Sequence, residues 1–378
     1  MPVNYDKWGS IDVSDDDDDE GESNLDAFLR MKEAAVASGK IPAGLKETAQ
    51  PRGPPPPQLV DTPLLTLEAW DFAEGLSEPW AIAALPEGGL LVAERSGCRL
   101  VVLSNEDGSI VRELACPAGL EDVSGLAVTD DAIYLTDCGT HSIHKLALPD
   151  GAPLAVFEGI EPAANEADTF KKLGETLQDE EEAPLGALRY PRGCAAALVD
   201  GRRLLFVSDS GHKRIMVYDA GTLEPLRSVG AAKHAPVWDE PHAEKPSGVV
   251  LKPGGVAMPM GVCVVGDTLA VVDAHEHRLS LYSAASGAFL RNVGREGTAP
   301  GELRSAFDVV ACNGRLVVGE GQRLQVLACD GTPNQVVSLP EALSMTGLTT
   351  DGAHVYVCDC PGGAVRSLRV LEDLDELG

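Results

Sequence analysis

The chain repeats itself, and the repeat decides most of what it can fold into. Six stretches share one pattern: a Pro-x-Gly-like turn, a short apolar run, a second run ending in an acid, a tight turn and a third run. EPWAIAALPEGGLLVAERSGCRLVVL opens the series and SMTGLTTDGAHVYVCDCPGGAVRSLRV closes it. The acids that close the second run are Glu94, Asp137, Asp209, Asp273, Glu320 and Asp359. Most of their intervals match a supersecondary repeat of ~40–50 residues. The two long intervals flank Asp209 and become ordinary once insertions near 158–188 and 231–256 are set aside.

Within each run apolar and polar residues alternate over four to seven positions, the period of a strand. A single such unit has two faces to bury and little core of its own. Radial packing of neighbours buries both faces and leaves only short edges. The 40 glycines and 26 prolines suit short strands joined by many turns. The expected fold is therefore all-β, a six-bladed β-propeller over residues 59–372, with a short acidic tail at 373–378. Little chain follows Leu371, so the last blade lacks an outer strand. Leu64–Trp70 (LLTLEAW) is expected to supply it and so close the ring.

DSGHKRIMVYD (209–219) resembles the core of an NHL repeat, and VGREGTAPGELRSAFDVV (293–310) is similar to the glycine-rich passage between NHL blades. The six units cover most of the chain. Units three and four match well, whereas one, five and six are degenerate. The resemblance implies a propeller that binds proteins or RNA, sometimes joined to a ubiquitin-ligase module, although no RING or B-box Cys/His pattern occurs here. It also implies that the residue after each opening Pro lies near one mouth of the central channel. Those positions are Trp80, Ser124, Arg192, Met260, Phe307 and Thr346. Trp, Met, Phe and Arg together are what protein-recognition surfaces favour. The same side chains could equally plug the channel by packing on one another. A buried Arg192 would need a partner, and Asp308, which replaces glycine in unit five, is the nearest acid in this register.

Catalytic machinery is not visible in the sequence. Propeller lyases and lactonases that use a metal need carboxylate, Asn or His ligands converging in the channel; the derived ring offers only Asp308. His275 and His277 are spaced for one face of a strand but fall in a turn, as do His141 and His144 by register. Cys358 and Cys360 lack the spacing of a zinc clip. No nucleophile elbow, phosphate loop or H-E-x-x-H motif occurs. The expectation is a non-catalytic scaffold without metal or cofactor. A metal-dependent hydrolase or lyase is the competing class.

Charge narrows the partners. The formal charge is −29, and twelve acids against five bases in the first fifty residues account for only −7 of it. The body is therefore acidic too, and would repel a phosphate backbone. Nucleic acid is not expected; a protein or peptide is. No apolar run is long enough to span a membrane, and no signal peptide is evident. Nine scattered cysteines read as buried thiols in a reducing compartment. A cytoplasmic or nuclear protein is expected.

Residues 1–58 differ from the rest. Asp15–Glu20 is a block of six acids, Asn24 to about Ser38 has helical spacing, and PRGPPPPQ (51–58) is a polyproline spacer. This is expected to be a flexible acidic arm. Ser14, followed by three aspartates, has the context of an acidophilic kinase site. YDKWGSIDVSDDDDD resembles the N-terminus of the kinase-dedicated heat-shock co-chaperone, which implies a chaperone-system contact. Among the insertions, 158–188 reads as a short acidic helix. Trp238 in the second is either a binding residue or part of a solvent-exposed excursion.

Overall fold

Six antiparallel sheets stand around a common axis in the computed structural model. It describes residues 65–66, 71–95, 98–159, 183–230, 253–321, 323–339, 344–360 and 362–371. All of these belong to the unit Pro56–Gly378. Blade 1 is a four-stranded meander of Pro79–Ala84, Leu90–Glu94, Arg99–Leu103 and Ile110–Leu114. Blades 2 to 6 repeat that order behind inner strands Val123–Val128, Pro191–Val199, Pro259–Val265, Asp308–Cys312 and Met345–Thr350. The unit count is six, as the repeats predict.

The ring closes where the sequence placed the closure. Leu65–Thr66 and Asp71–Ala73 both pair antiparallel with Ala364–Val370, the third strand of blade 6. Leu65 lies opposite Val370 and Asp71 opposite Arg366. The pairing thus reaches beyond Leu64–Trp70, to Ala73, while residues 64 and 67–70 lie outside the described residues. Asp71 and Arg366 also form an ion pair across it. On the other side of the chain, Gln335 of blade 5 receives the Leu65 amide at 2.9 Å and donates to its carbonyl at 2.8 Å.

Burial follows the alternation. The second strands are almost wholly buried because a neighbouring blade covers each face. The apolar core is accordingly split into six clusters, one per blade junction. Leu91, Leu100 and Leu135 join blades 1 and 2. Val92 and Leu103 meet Tyr356 and Cys358 at the closing junction between blades 6 and 1. Each buried Leu or Val contributes about 1.5–3 kcal/mol of transfer free energy, and no junction stands without its neighbour.

The acids that end the second strands do more than hold the following turn. Glu94 accepts the Ser77 amide at 2.8 Å, Asp209 the Arg189 amide at 2.8 Å, and Asp273 the Ala257 and Met258 amides at 3.1 and 3.0 Å. Asp137 accepts Glu121 and Asp122 amides as well as Gly139 and Thr140 of its own turn. In blades 1 to 5 the carboxylate thus holds the incoming connection, with Glu320 accepting the Arg304 amide in blade 5, whereas Asp359 of blade 6 accepts the Gly362 amide of its own turn. An arginine heading the third strand completes the motif in four blades: Arg99, Arg214, Arg278 and Arg323.

All nine cysteines are unpaired. Among the described residues no helix is long and apolar enough to cross a membrane. The arm with Ser14 and most of both insertions, Trp238 included, lie outside the described residues.

Candidate functional site

The inner strands enclose a channel of about 310 Å³, lined mostly by small apolar side chains. Its width is set by glycine. Gly125, Gly193, Gly261 and Gly347 sit at irregularities of the inner strands, where the next blade's backbone or side chain crowds in. A Cβ at Gly125 would lie 2.4 Å from the Arg192 carbonyl oxygen, one at Gly193 2.7 Å from that of Met260, and one at Gly347 2.8 Å from that of Trp80. Only a residue without a side chain lets neighbouring blades approach this closely.

Two blades lack this glycine: blade 1 carries Ala81, and blade 5 carries Asp308, whose strand pairs in regular register. The Asp308 carboxylate takes the place of the irregularity: Oδ1 accepts the Val309 amide and Oδ2 the Leu348 amide of blade 6, both at 2.8 Å. Burial raises its pKa to about 7, against the opposing pull of those two amides.

The six mouth positions divide into two kinds. Ser124 and Thr346 are buried ties between blades: Ser124 Oγ donates to the Pro191 carbonyl at 2.5 Å, and Thr346 Oγ1 to the Pro79 carbonyl at 2.9 Å. Met260 packs in the junction of blades 4 and 5. Trp80 and Phe307 remain partly exposed and meet edge to face, with ring centroids 6.0 Å apart. Arg192 is the exception among the buried ones. Its carbonyl accepts the Thr136 hydroxyl at 2.5 Å, and the residue is only 6% exposed. Among the described residues, however, nothing accepts from its guanidinium, and Nε is fully buried without a hydrogen bond.

The expected pairing of Arg192 with Asp308 does not form. Asp308 lies one residue further along its strand than Phe307, and both of its oxygens are held by backbone amides. Arg192 instead lies within electrostatic reach of the Cys138 thiol, whose pKa is raised by burial and drawn back by Arg192 and Arg95.

Arg95 is the site residue that the mouth register missed. Its guanidinium stacks 4.3 Å over the Trp80 ring and pairs with Asp122 at 2.7 Å. A sequence signal for it existed. Arg95 directly follows Glu94, the same repeat position as Cys138 and Cys360, so it belongs to a second ring beside the first. The buried Nε1 of Trp80 has no acceptor among the described residues. His277 does lie in the turn after Asp273, in the left-handed region at φ 50°. His144, by contrast, sits in the strand Ser142–Ala147, buried, with Nε2 2.9 Å from Ser142 Oγ. It stands seven residues after Asp137, whereas blades 1 to 4 all begin the third strand five residues after the acid, so His144 is already two residues into it. Among the described residues, no three His, Cys, Asp or Glu side chains converge as metal ligands.

The protein is a six-bladed β-propeller. It is similar in structure to streptogramin B lyase, with a TM-score of 0.53 and 15% identity over 82% of this chain and 98% of that one. Hydrazine synthase of Kuenenia stuttgartiensis aligns with a TM-score of 0.49 and 13% identity over 80% of this chain and 98% of that one. No protein-family model matches the sequence, and no curated protein does.

Proposed function

We propose that this propeller is a non-catalytic binding platform of the NHL type, which presents its channel mouth to a protein or peptide. The supporting observation is the make-up of the mouth: two partly exposed aromatic rings, Trp80 and Phe307, beside a buried guanidinium, Arg192, that no described acceptor engages. Aromatic rings and arginine are the side chains that carry most binding energy in protein interfaces. The likeness to streptogramin B lyase, at 15% identity, supports the fold and not a reaction. In this reading the acidic arm is a tether that carries the Ser14 phosphosite and a chaperone-system contact, Trp238 adds a loop contact, and the protein works in the cytosol or nucleus without a cofactor.

Affinity capture with the full chain tests this reading. Partners bound at the mouth are expected to be lost with Trp80→Ala and Arg192→Ala and kept with Leu198→Ser, a change at an exposed inner-strand residue. Equal capture by all four proteins would move the binding surface off the mouth. Capture lost only when the arm is deleted would move it to residues 1–58.

A further inference from the structure

We infer that Arg192 is the receptor for a single carboxylate carried by the bound peptide, with an adjacent aromatic side chain resting on Trp80 and Phe307. This deepens the platform reading and rests on it. Four observations point to a carboxylate. First, Arg192 is 6% exposed as a residue and lines the channel, and its Nε is buried without a hydrogen bond among the described residues. A buried cation without a partner is costly, and its planar fork of donors matches a carboxylate in two parallel bonds. Second, the neighbouring acids have other partners: Asp308 accepts two backbone amides and Asp122 pairs with Arg95.

Third, further donors stand nearby. Arg95 lies 4.3 Å over the Trp80 ring, and it acts on the Cys138 thiol together with Arg192, Asp122 and Asp137. Trp80 Nε1 is a further buried donor without an acceptor among the described residues. Fourth, the chain's charge of −29 selects for a light anion. A polyacidic or phosphorylated segment would be repelled by the acidic body before reaching the mouth. One carboxylate on an otherwise apolar segment gains Arg192 at little electrostatic cost. The channel, about 310 Å³, is at the small end of ligand pockets and suits a side chain or a chain end better than a long insertion.

The test uses the full-length protein, three short peptides and thermal unfolding. Ac-Ala-Phe with a free C-terminal carboxylate, its neutral amide, and Ac-Glu-Phe-amide separate a chain end from a side chain as the source of the charge. At least one acidic peptide is expected to bind and raise the Tm, with affinity at least about tenfold above that of the neutral amide. Arg192→Met keeps the length of the side chain and removes the charge. It is expected to abolish that preference while raising the Tm without peptide by about 2 °C, because a buried unpaired cation is replaced by an apolar group. Arg192→Lys is expected to keep part of the preference. Equal binding of acidic and neutral peptides, or no binding of any, would overturn the inference, as would a lower Tm for Arg192→Met. If captured partners need Arg192 but no acidic peptide does, the platform stands and the carboxylate falls. If acidic peptides bind but no captured partner depends on the mouth, the carboxylate site stands and the platform falls.

Discussion

Replacing Arg214 by Met tests the claim that burial, and not repeat position, decides what the blade arginines are worth. Arg214 is 1% exposed. Its Nε pairs with Asp209 at 2.9 Å, and its terminal nitrogens donate to the carbonyls of Ala183, Pro184 and Ala187, the last at 2.7 Å. Met fills the volume but leaves Asp209 buried with only the His212 ring and the Arg189 amide, and strands three carbonyls. Breaking a buried ion pair from one side costs about 3–5 kcal/mol. A fold of roughly 300 residues has an unfolding entropy of about 0.6 kcal/mol/K, so the Tm is expected to fall by about 5–8 °C. Arg99 holds the same repeat position in blade 1, but its side chain is 37% exposed and meets Glu94 at 3.2 Å. Water screens that pair, and Arg99→Met is expected to cost no more than about 1 kcal/mol, under about 2 °C. Differential scanning calorimetry of the two variants decides the matter. Equal shifts, or a larger one for Arg99→Met, would refute the reasoning.

Gly193→Ala is expected to cost about 1–3 kcal/mol, because its Cβ meets backbone of blade 4 that cannot move alone; urea denaturation would show a lowered midpoint. Asp308 contributes a pH dependence of definite sign. Its folded pKa, about 7, lies above the unfolded value of about 3.9, so the folded state holds the extra proton and stability falls as pH rises from 4 to 7. Asp308→Asn is therefore expected to gain Tm on the wild type over that interval and run parallel above it. A difference that stays flat from pH 4 to 8 would show that Asp308 is ionised throughout.

What was legible in the sequence was whatever repeats. Six acids at matched positions gave the blade count, and Leu64–Trp70 gave the closure because a ring with a missing outer strand needs one from elsewhere. The mouth positions follow from the Pro-x-Gly register, and the structure puts five of the six on the inner strands, with Phe307 immediately before the fifth. What the register could not supply was the height and direction of side chains. Counting puts Asp308 near Arg192, yet its carboxylate turns to the Val309 and Leu348 amides. Arg95 was overlooked because its role depends on a cross-blade contact with Trp80, which no single repeat encodes. The turn expectation fails for His144 because it lies seven residues past Asp137, and the third strand begins at five there as in its neighbours.

These particulars explain how an unpaired guanidinium can persist at the mouth. A flexible loop would let Arg192 swing to the nearest acid, and the charge would be neutralised at once. Here the main chain on either side of it is fixed: Ser124 holds the Pro191 carbonyl and Thr136 holds that of Arg192 itself, while Gly125 brings blade 2 against the same peptide unit. The acids in reach are already committed, Asp122 to Arg95 and Asp308 to two amides. The cost of leaving the cation unmatched is borne by six apolar junctions, none of which can relax without opening the ring. Closing the circle with Leu65–Ala73 is thus what makes the mouth rigid enough to hold a charge in readiness, and weakening that closure should loosen Arg192 as surely as a change beside it.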